Sequence, residues 1–124
     1  MSTTAKEYVT GLISRARAAQ EKIEFADQKS IDDIVGRIAR AGTTESFAKQ
    51  IAELAVKESR MGRVESKYGK MITKVKGTYR DLKNEKTVGI IEKDEKKGLV
   101  KFAKPVGVIG ALIPVTNCEA TPFC

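Results

Sequence analysis

Histidine and tryptophan are both absent from these 124 residues, and only two cysteines and three prolines occur. Without histidine the chain lacks the commonest general base near neutral pH and any His-containing zinc set. Cys118 and Cys124 form no C-x-x-C pair, so no metal site is expected. The longest apolar run, Val106 to Val115, is ten residues, too short to span a bilayer. Met1 to Lys6 contain no continuous apolar stretch of the kind a signal peptide carries. The expected compartment is therefore the cytoplasm, and a membrane is not an expected partner. No internal repeat, low-complexity tract or Pro/Gly-rich linker divides the chain.

What is present suits a soluble globular protein: 41% hydrophobic and 31% charged residues. Net charge is +7 and the pI about 9.5, a balance that suits an anionic partner. Much of the excess lies between residues 63 and 86, where eight basic groups (Arg63, Lys67, Lys70, Lys74, Lys76, Arg80, Lys83, Lys86) face three acidic ones. This reads as a solvated helix face. The alternative is a basic helical module that binds nucleic acid through Lys67, Lys70, Lys74 and Lys76. Against it, the only interleaved aromatics, Tyr68 and Tyr79, fall on the apolar stripe and leave no stacking platform, so nucleic acid is not an expected partner.

Four helices are predicted. The first begins near Thr4, which has capping-box spacing with Glu7, and its stripe runs through Val9, Leu12, Ile13, Ala16, Ala19 and Ile23. The second starts at Ser30 as N-cap, with Asp32 and Asp33 in its first turn, stripe Ile31, Ile34, Val35 and Ile38, and Gly42 just past its end. The third opens at Thr43 or Thr44, carries Phe47, Ile51, Leu54 and Ala55, and stops at Gly62. The fourth covers about Val64 to Lys83, with Val64, Tyr68, Met71, Val75, Tyr79 and Leu82 on one stripe; Gly69 and Gly77 each weaken it by roughly 1 kcal/mol relative to Ala.

The pattern then changes. Residues 87–92 and 99–103 are apolar and flank a charged turn ending in Gly98, a β-hairpin signature. Val106 to Ile113 follows as an unbroken apolar run, suited to a strand buried on both faces of a parallel sheet. Such a strand needs covering helices and a parallel partner reached by a crossover of a dozen or more residues. Only eleven residues, Pro114 to Cys124, follow it. The chain is therefore expected to be a fragment, or to complete its sheet with another chain.

Residues 104–122, KPVGVIGALIPVTNCEATP, resemble the first cofactor-domain strand and following loop of the aldehyde dehydrogenase superfamily. The Pro-x-Gly-Val-Ile-Gly opening and Ile-Pro-x-Thr-Asn turn are most similar to its CoA-acylating branch, as is the strand Lys86-Thr87-Val88-Gly89-Ile90-Ile91-Glu92 after a run of helices. The resemblance spans the whole chain, and its specific part is residues 86–122. It implies an α/β fragment: N-terminal helices over residues 1–86, a β-hairpin at 87–104 that helps build an interface in a homo-oligomer, and the start of a Rossmann-like NAD(P)-binding domain at 105–124. It implies an oxidoreductase that converts a small aldehyde, CoA and NAD or NADP to acyl-CoA. In that family a cysteine thiolate attacks the aldehyde and CoA later takes the acyl group; that nucleophile lies beyond this sequence.

Asn117 matches the asparagine whose amide donates to the oxyanion in that family, and Ile113, Pro114, Val115 and Thr116 would line the nicotinamide side of the cleft. Hydrolytic relatives have one residue between Pro and Asn, whereas here Val115 and Thr116 both intervene. That spacing, as in acylating enzymes, and the missing aromatic beside Asn117 argue against a hydrolytic aldehyde dehydrogenase fragment, the alternative within the superfamily. Where acylating relatives often have Pro after this Asn, this chain has Cys118. Apart from the resemblance, Asn117 reads as a loop or helix-cap residue, Cys118 and Cys124 as ordinary cysteines, and Gly107 and Gly110 as strand-packing glycines. Acylating enzymes of bacterial microcompartments carry a targeting helix on a flexible linker. Residues 25–29 contain no Gly or Pro, so helix one reads as part of the domain.

Overall fold

The structure, a computed structural model, describes residues 4–124; residues 1–3, where the expected N-terminal segment opens, lie outside the described residues. The chain divides into two units, residues 1–28 with 86–111, and residues 29–85 with 112–124.

In the first unit, helix α1 spans Ala5–Ile23. The expected capping box forms: the Thr4 amide donates to Glu7 Oε2 at 2.8 Å, and the Glu7 amide donates to Thr4 Oγ1 at 3.3 Å. The Thr4 amide holds the Glu7 carboxyl below its ordinary value. The apolar stripe exists but is not covered, since no residue of α1 is buried and Val9, Leu12, Ile13 and Ile23 are all exposed.

The hairpin forms as antiparallel strands β1, Gly89–Asp94, and β2, Leu99–Ala103. A bulge falls between Ile90 and Glu92, leaving Ile91 outside the ladder. The turn closes through the Lys97 amide, which donates to Asp94 Oδ1 at 3.1 Å, and Gly98 sits at φ 63°, where a side chain would be strained. Gln28 anchors the entry to β1: its Oε1 accepts from the amides of Thr87 and Val88, and its Nε2 donates to Thr87 Oγ1.

The expected buried strand at 106–113 is not formed. Residues 104–114 make no strand, and the side chains of Val106, Ile109 and Leu112 are 84%, 71% and 101% exposed. The reason is the missing neighbour: the sheet among the described residues has two strands only, so nothing receives the segment's backbone hydrogen bonds. Gly107, at φ 92°, also breaks the extended path.

The second unit holds most of helix α2, Gln28–Gly42, with α3, Glu45–Ser59, and α4, Val64–Leu82, then 3-10 turns at Val115–Asn117 and Thr121–Phe123. Helix α2 starts two residues before the expected cap Ser30, which moves Asp32 and Asp33 out of the first turn. The buried face of α4 includes the expected Met71 and Val75, and that of α3 the expected Ala55 with Phe47 and Ile51 partly buried, but α2 and the rest of α3 differ from the expected stripes. In α2 the buried residues are Gly36, Ala39 and Gly42, while Ile34 and Ile38 are exposed. In α3 they are Ala48, Ala52 and Ala55, while Leu54 is exposed. Small side chains on α3 let its backbone approach that of α4, and at Gly36 and Gly42 of α2 the side chains of Tyr79 and Phe123 take up the space. Ala39, Ala48, Met71 and Val75 form the core, with Phe47, Ile51, Tyr68 and Phe123 packed against it.

Helix α3 ends at Arg60 in the left-handed region, whose amide donates to Val56 O, two residues before Gly62. The Thr44 hydroxyl donates backward to Arg40 O at 3.0 Å instead of capping α3. Helix α4 runs through Gly69 and Gly77 without interruption. Gly42 is not a left-handed end residue but the last residue of α2, required by close approach: a Cβ there would lie 2.6 Å from Phe123 Cδ1. At Gly69 a Cβ would meet nothing within 4 Å. Urea unfolding should therefore separate the two glycines. Gly42→Ala should lose about 1 kcal/mol or more despite its propensity gain, while Gly69→Ala should gain up to about 1 kcal/mol.

Candidate functional site

Lys67, Met71 and Val75 follow one another at four-residue steps, so α4 presents all three on one line. Met71 and Val75 enter the core, and Lys67 is carried inward with them to 4% exposure. Lys70, three residues from Lys67, lies beside it, half-buried. Both lysines reach the C-terminal turns. Pro114 precedes the first turn in an extended conformation, and the Asn117 amide donates to Pro114 O at 3.1 Å, closing it. The Ala120 amide then donates to Asn117 O at 3.3 Å. This compact path brings Thr116 O, the Asn117 side chain and the Glu119 carboxylate to one side.

There the charges meet. Lys67 Nζ donates to Glu119 Oε2 at 3.0 Å and to Thr116 O at 3.2 Å. Lys70 Nζ donates to Asn117 Oδ1 at 2.8 Å and lies 3.4 Å from Glu119 Oε1. The Glu119 side chain is wholly buried. Its Oε1 has no hydrogen bond, and Lys70 is the cation that faces it. Burial works to raise the Glu119 carboxyl, but its own backbone amide and the two lysines outweigh that and hold it below its ordinary value. The Cys118 thiol, 3.8 Å from Glu119 Oε2, is free, as is Cys124.

Lys70 lines two open clefts. One, of about 230 Å³, is lined by Gly62, Arg63, Ser66, Lys67, Lys70 and Thr116. The other, of about 340 Å³, is lined by Lys70, Lys74, Thr78, Asn117, Thr121 and Cys124. Of the sequence-predicted site residues, Thr116 borders the first cleft and Asn117 the second, each beside two lysines. Ile113, Pro114, Val115 and Thr116 run exposed into the turn. Their apolar side chains could cover a ring. Among the described residues the segment continues in a second 3-10 turn, Thr121–Phe123, so these residues fit the ring of a dinucleotide and supply no group to its phosphates. Among the described residues no cluster of His, Cys, Asp and Glu could hold a metal, and no helix is long and apolar enough to cross a membrane.

Lys67 and Lys70, expected on a solvated face, are instead turned inward, and Glu119, which no sequence motif marks, is their partner. Two signals pointed to them: Lys67 lies on the line of Met71 and Val75, and Glu119 is the sole acidic residue after Glu95.

No protein-family model matches the chain. Individual relatives do, and they are dehydrogenases of aldehydes. The chain is 41% identical over 114 residues to a sulfoacetaldehyde dehydrogenase of an Acholeplasma species, covering 92% of this chain and 24% of that protein. It is 40% identical over 118 residues to the acylating sulfoacetaldehyde dehydrogenase of Cupriavidus necator, covering 95% and 24%. With the acetylating succinate-semialdehyde dehydrogenase of Clostridium kluyveri it shares 38% identity over 115 residues, covering 91% and 24%. Over most of its length, then, the chain is homologous to the acylating aldehyde dehydrogenases, and it spans about a quarter of the length of these relatives.

The buried pair yields a stability test. Glu119→Leu strands the Lys67 ammonium and should cost about 3–5 kcal/mol, whereas Lys67→Met with Glu119→Leu should recover most of it. Because the folded Glu119 carboxyl lies below its ordinary 4.5, the pair contributes fully above that pH and is lost as pH falls through the depressed value. Urea midpoints at neutral pH and well below pH 4.5 should show a larger acid loss in the native chain than in the double variant, which keeps only the contributions of other depressed carboxylates such as Glu7.

Proposed function

We propose that this chain forms the N-terminal part of an oxidoreductase that converts a small aldehyde, with CoA and NAD or NADP, to acyl-CoA and the reduced cofactor. The observation that carries this reading is the agreement of two independent lines. Homology at about 40% identity to acylating enzymes covers nearly the whole chain, and Asn117 stands at a cleft with its amide held by a lysine. In this reading Asn117 donates its amide to the oxyanion that forms on the aldehyde carbonyl. Ile113, Pro114, Val115 and Thr116 face the nicotinamide side, residues 105–124 begin the cofactor domain, and the nucleophilic cysteine lies outside these 124 residues. The cofactor supplies the hydride acceptor; the residues of this chain position and polarise the carbonyl.

The exposed run from Val106 to Ile113 supports the same reading, because an apolar segment of this length gains stability only when sheet neighbours cover it. The exposed faces of β1 and β2, including Leu99, Val100 and Phe102, support a role for the hairpin in a homo-oligomer. The "acylating" in the relatives' names favours acyl transfer to CoA over hydrolysis. A basic module for nucleic acid is disfavoured, because Lys67 and Lys70 are turned onto Glu119 and Asn117. A cytoplasmic setting is the reading for the whole protein.

Two outcomes are expected. The 124-residue polypeptide alone should show no aldehyde- and CoA-dependent NAD(P)H formation; measurable turnover would place the nucleophile within it. In the complete enzyme, Asn117→Ala should lower kcat by about 10²–10³-fold, the effect of removing one oxyanion donor, with cofactor affinity by fluorescence titration little changed. An unaltered kcat would return Asn117 to a purely structural role.

A further inference from the structure

An asparagine amide has nearly the same shape in either of its two orientations, so hydrogen bonding alone decides which end faces outward. That choice matters at Asn117. If the nitrogen faces the cleft, the residue is a donor; if the oxygen does, it repels an oxyanion. We infer that Lys70 is the positioning residue that holds the Asn117 amide with its donor end free, and that the Lys67–Glu119 pair holds Lys70 in place. This inference rests on the role proposed above for Asn117, but its first test does not.

The geometry admits one orientation. An ammonium has donors and no acceptor, so the group 2.8 Å from Lys70 Nζ must be Oδ1. The nitrogen is left almost uncommitted, its one hydrogen-bond partner among the described residues being Thr116 Oγ1 at 3.5 Å, at the limit of a hydrogen bond. Lys70 also lies 3.5 Å from Thr116 O and 3.4 Å from Glu119 Oε1. Glu119 Oε1 has no hydrogen bond of its own, so its charge draws the Lys70 ammonium toward the turn. Glu119 in turn is fixed by Lys67, both being buried. A cation on Oδ1 also polarises the amide and makes its N–H groups stronger donors. A basic residue chosen only for solubility would not be placed against an amide oxygen and a buried carboxylate together.

Asparagine occurs twice in the chain, at Asn84 and Asn117, which makes the ordering of the amide by Lys70 directly observable. With ¹⁵N-asparagine labelling the native 124-residue chain should show two side-chain amide pairs, assigned by Asn84→Asp. The heteronuclear NOE of the Asn117 pair should be that of an ordered group. It should fall toward that of Asn84 in Lys70→Met and be restored in Lys70→Arg. Lys70 is part-exposed, so an unchanged circular dichroism spectrum is expected for both variants. An Asn117 amide as ordered in Lys70→Met as in the native chain overturns the inference, whatever the enzyme does. In the complete enzyme, Lys70→Met should lower kcat about tenfold or more, and should add no further loss to Asn117→Ala, because the two act as one unit. Equal losses in both backgrounds would show that Lys70 acts by another route. An Asn117→Ala without effect would remove the proposed oxyanion role and leave the amide-ordering result standing by itself.

Discussion

The second unit depends on burying one charge against another. Lys67 follows Met71 and Val75 into the interior, and an unpaired ammonium there would carry a large desolvation cost. Glu119 removes that cost only if residues 112–124 fold back onto α4 and turn tightly enough to bring the carboxylate within 3.0 Å. The 3-10 turn at Val115–Asn117, closed by the Asn117 amide on Pro114 O, is the backbone path that does so. Thr116 O, Lys70 and Asn117 take their places as consequences of that one pairing.

The remaining packing leaves room for it. Alanines and glycines on α2 and α3 admit the larger side chains of α4, and Phe123, packed 5.9 Å from Phe47 in an edge-to-face contact and over Gly42, anchors the last turn. The ring contact and the ion pair hold opposite ends of the same short segment.

Elements with local causes were legible in the sequence. The capping box at Thr4 and Glu7, the span of α4, and the hairpin with Gly98 in its turn each depend on residues a few positions apart, and each formed. Buried faces were harder to read. The larger apolar residues Ile34, Ile38 and Leu54 suggested the core, yet the faces that pack are the small ones, because how closely two helices approach is set by the partner and not by the helix itself. The run from 106 to 113 shows the same limit from the other side. Its composition states a preference for burial in a sheet, but a strand is a property of two segments, and no neighbour is present to accept its hydrogen bonds.

At the site the division is equally plain. Asn117 was picked out because its identity and spacing after Pro114 form a local pattern. Lys67, Lys70 and Glu119 were not, because what they do depends on contacts between groups some fifty positions apart. The sequence by itself determined the capping box of α1, the hairpin turn, the charge inventory and the family signature, all of which act over a few residues of chain. Only the tertiary structure decided which lysines leave solvent, which acid they meet, and which end of one amide is left free. Electrostatic pairing acts through space and is set by distance and burial, which a linear order of residues does not contain.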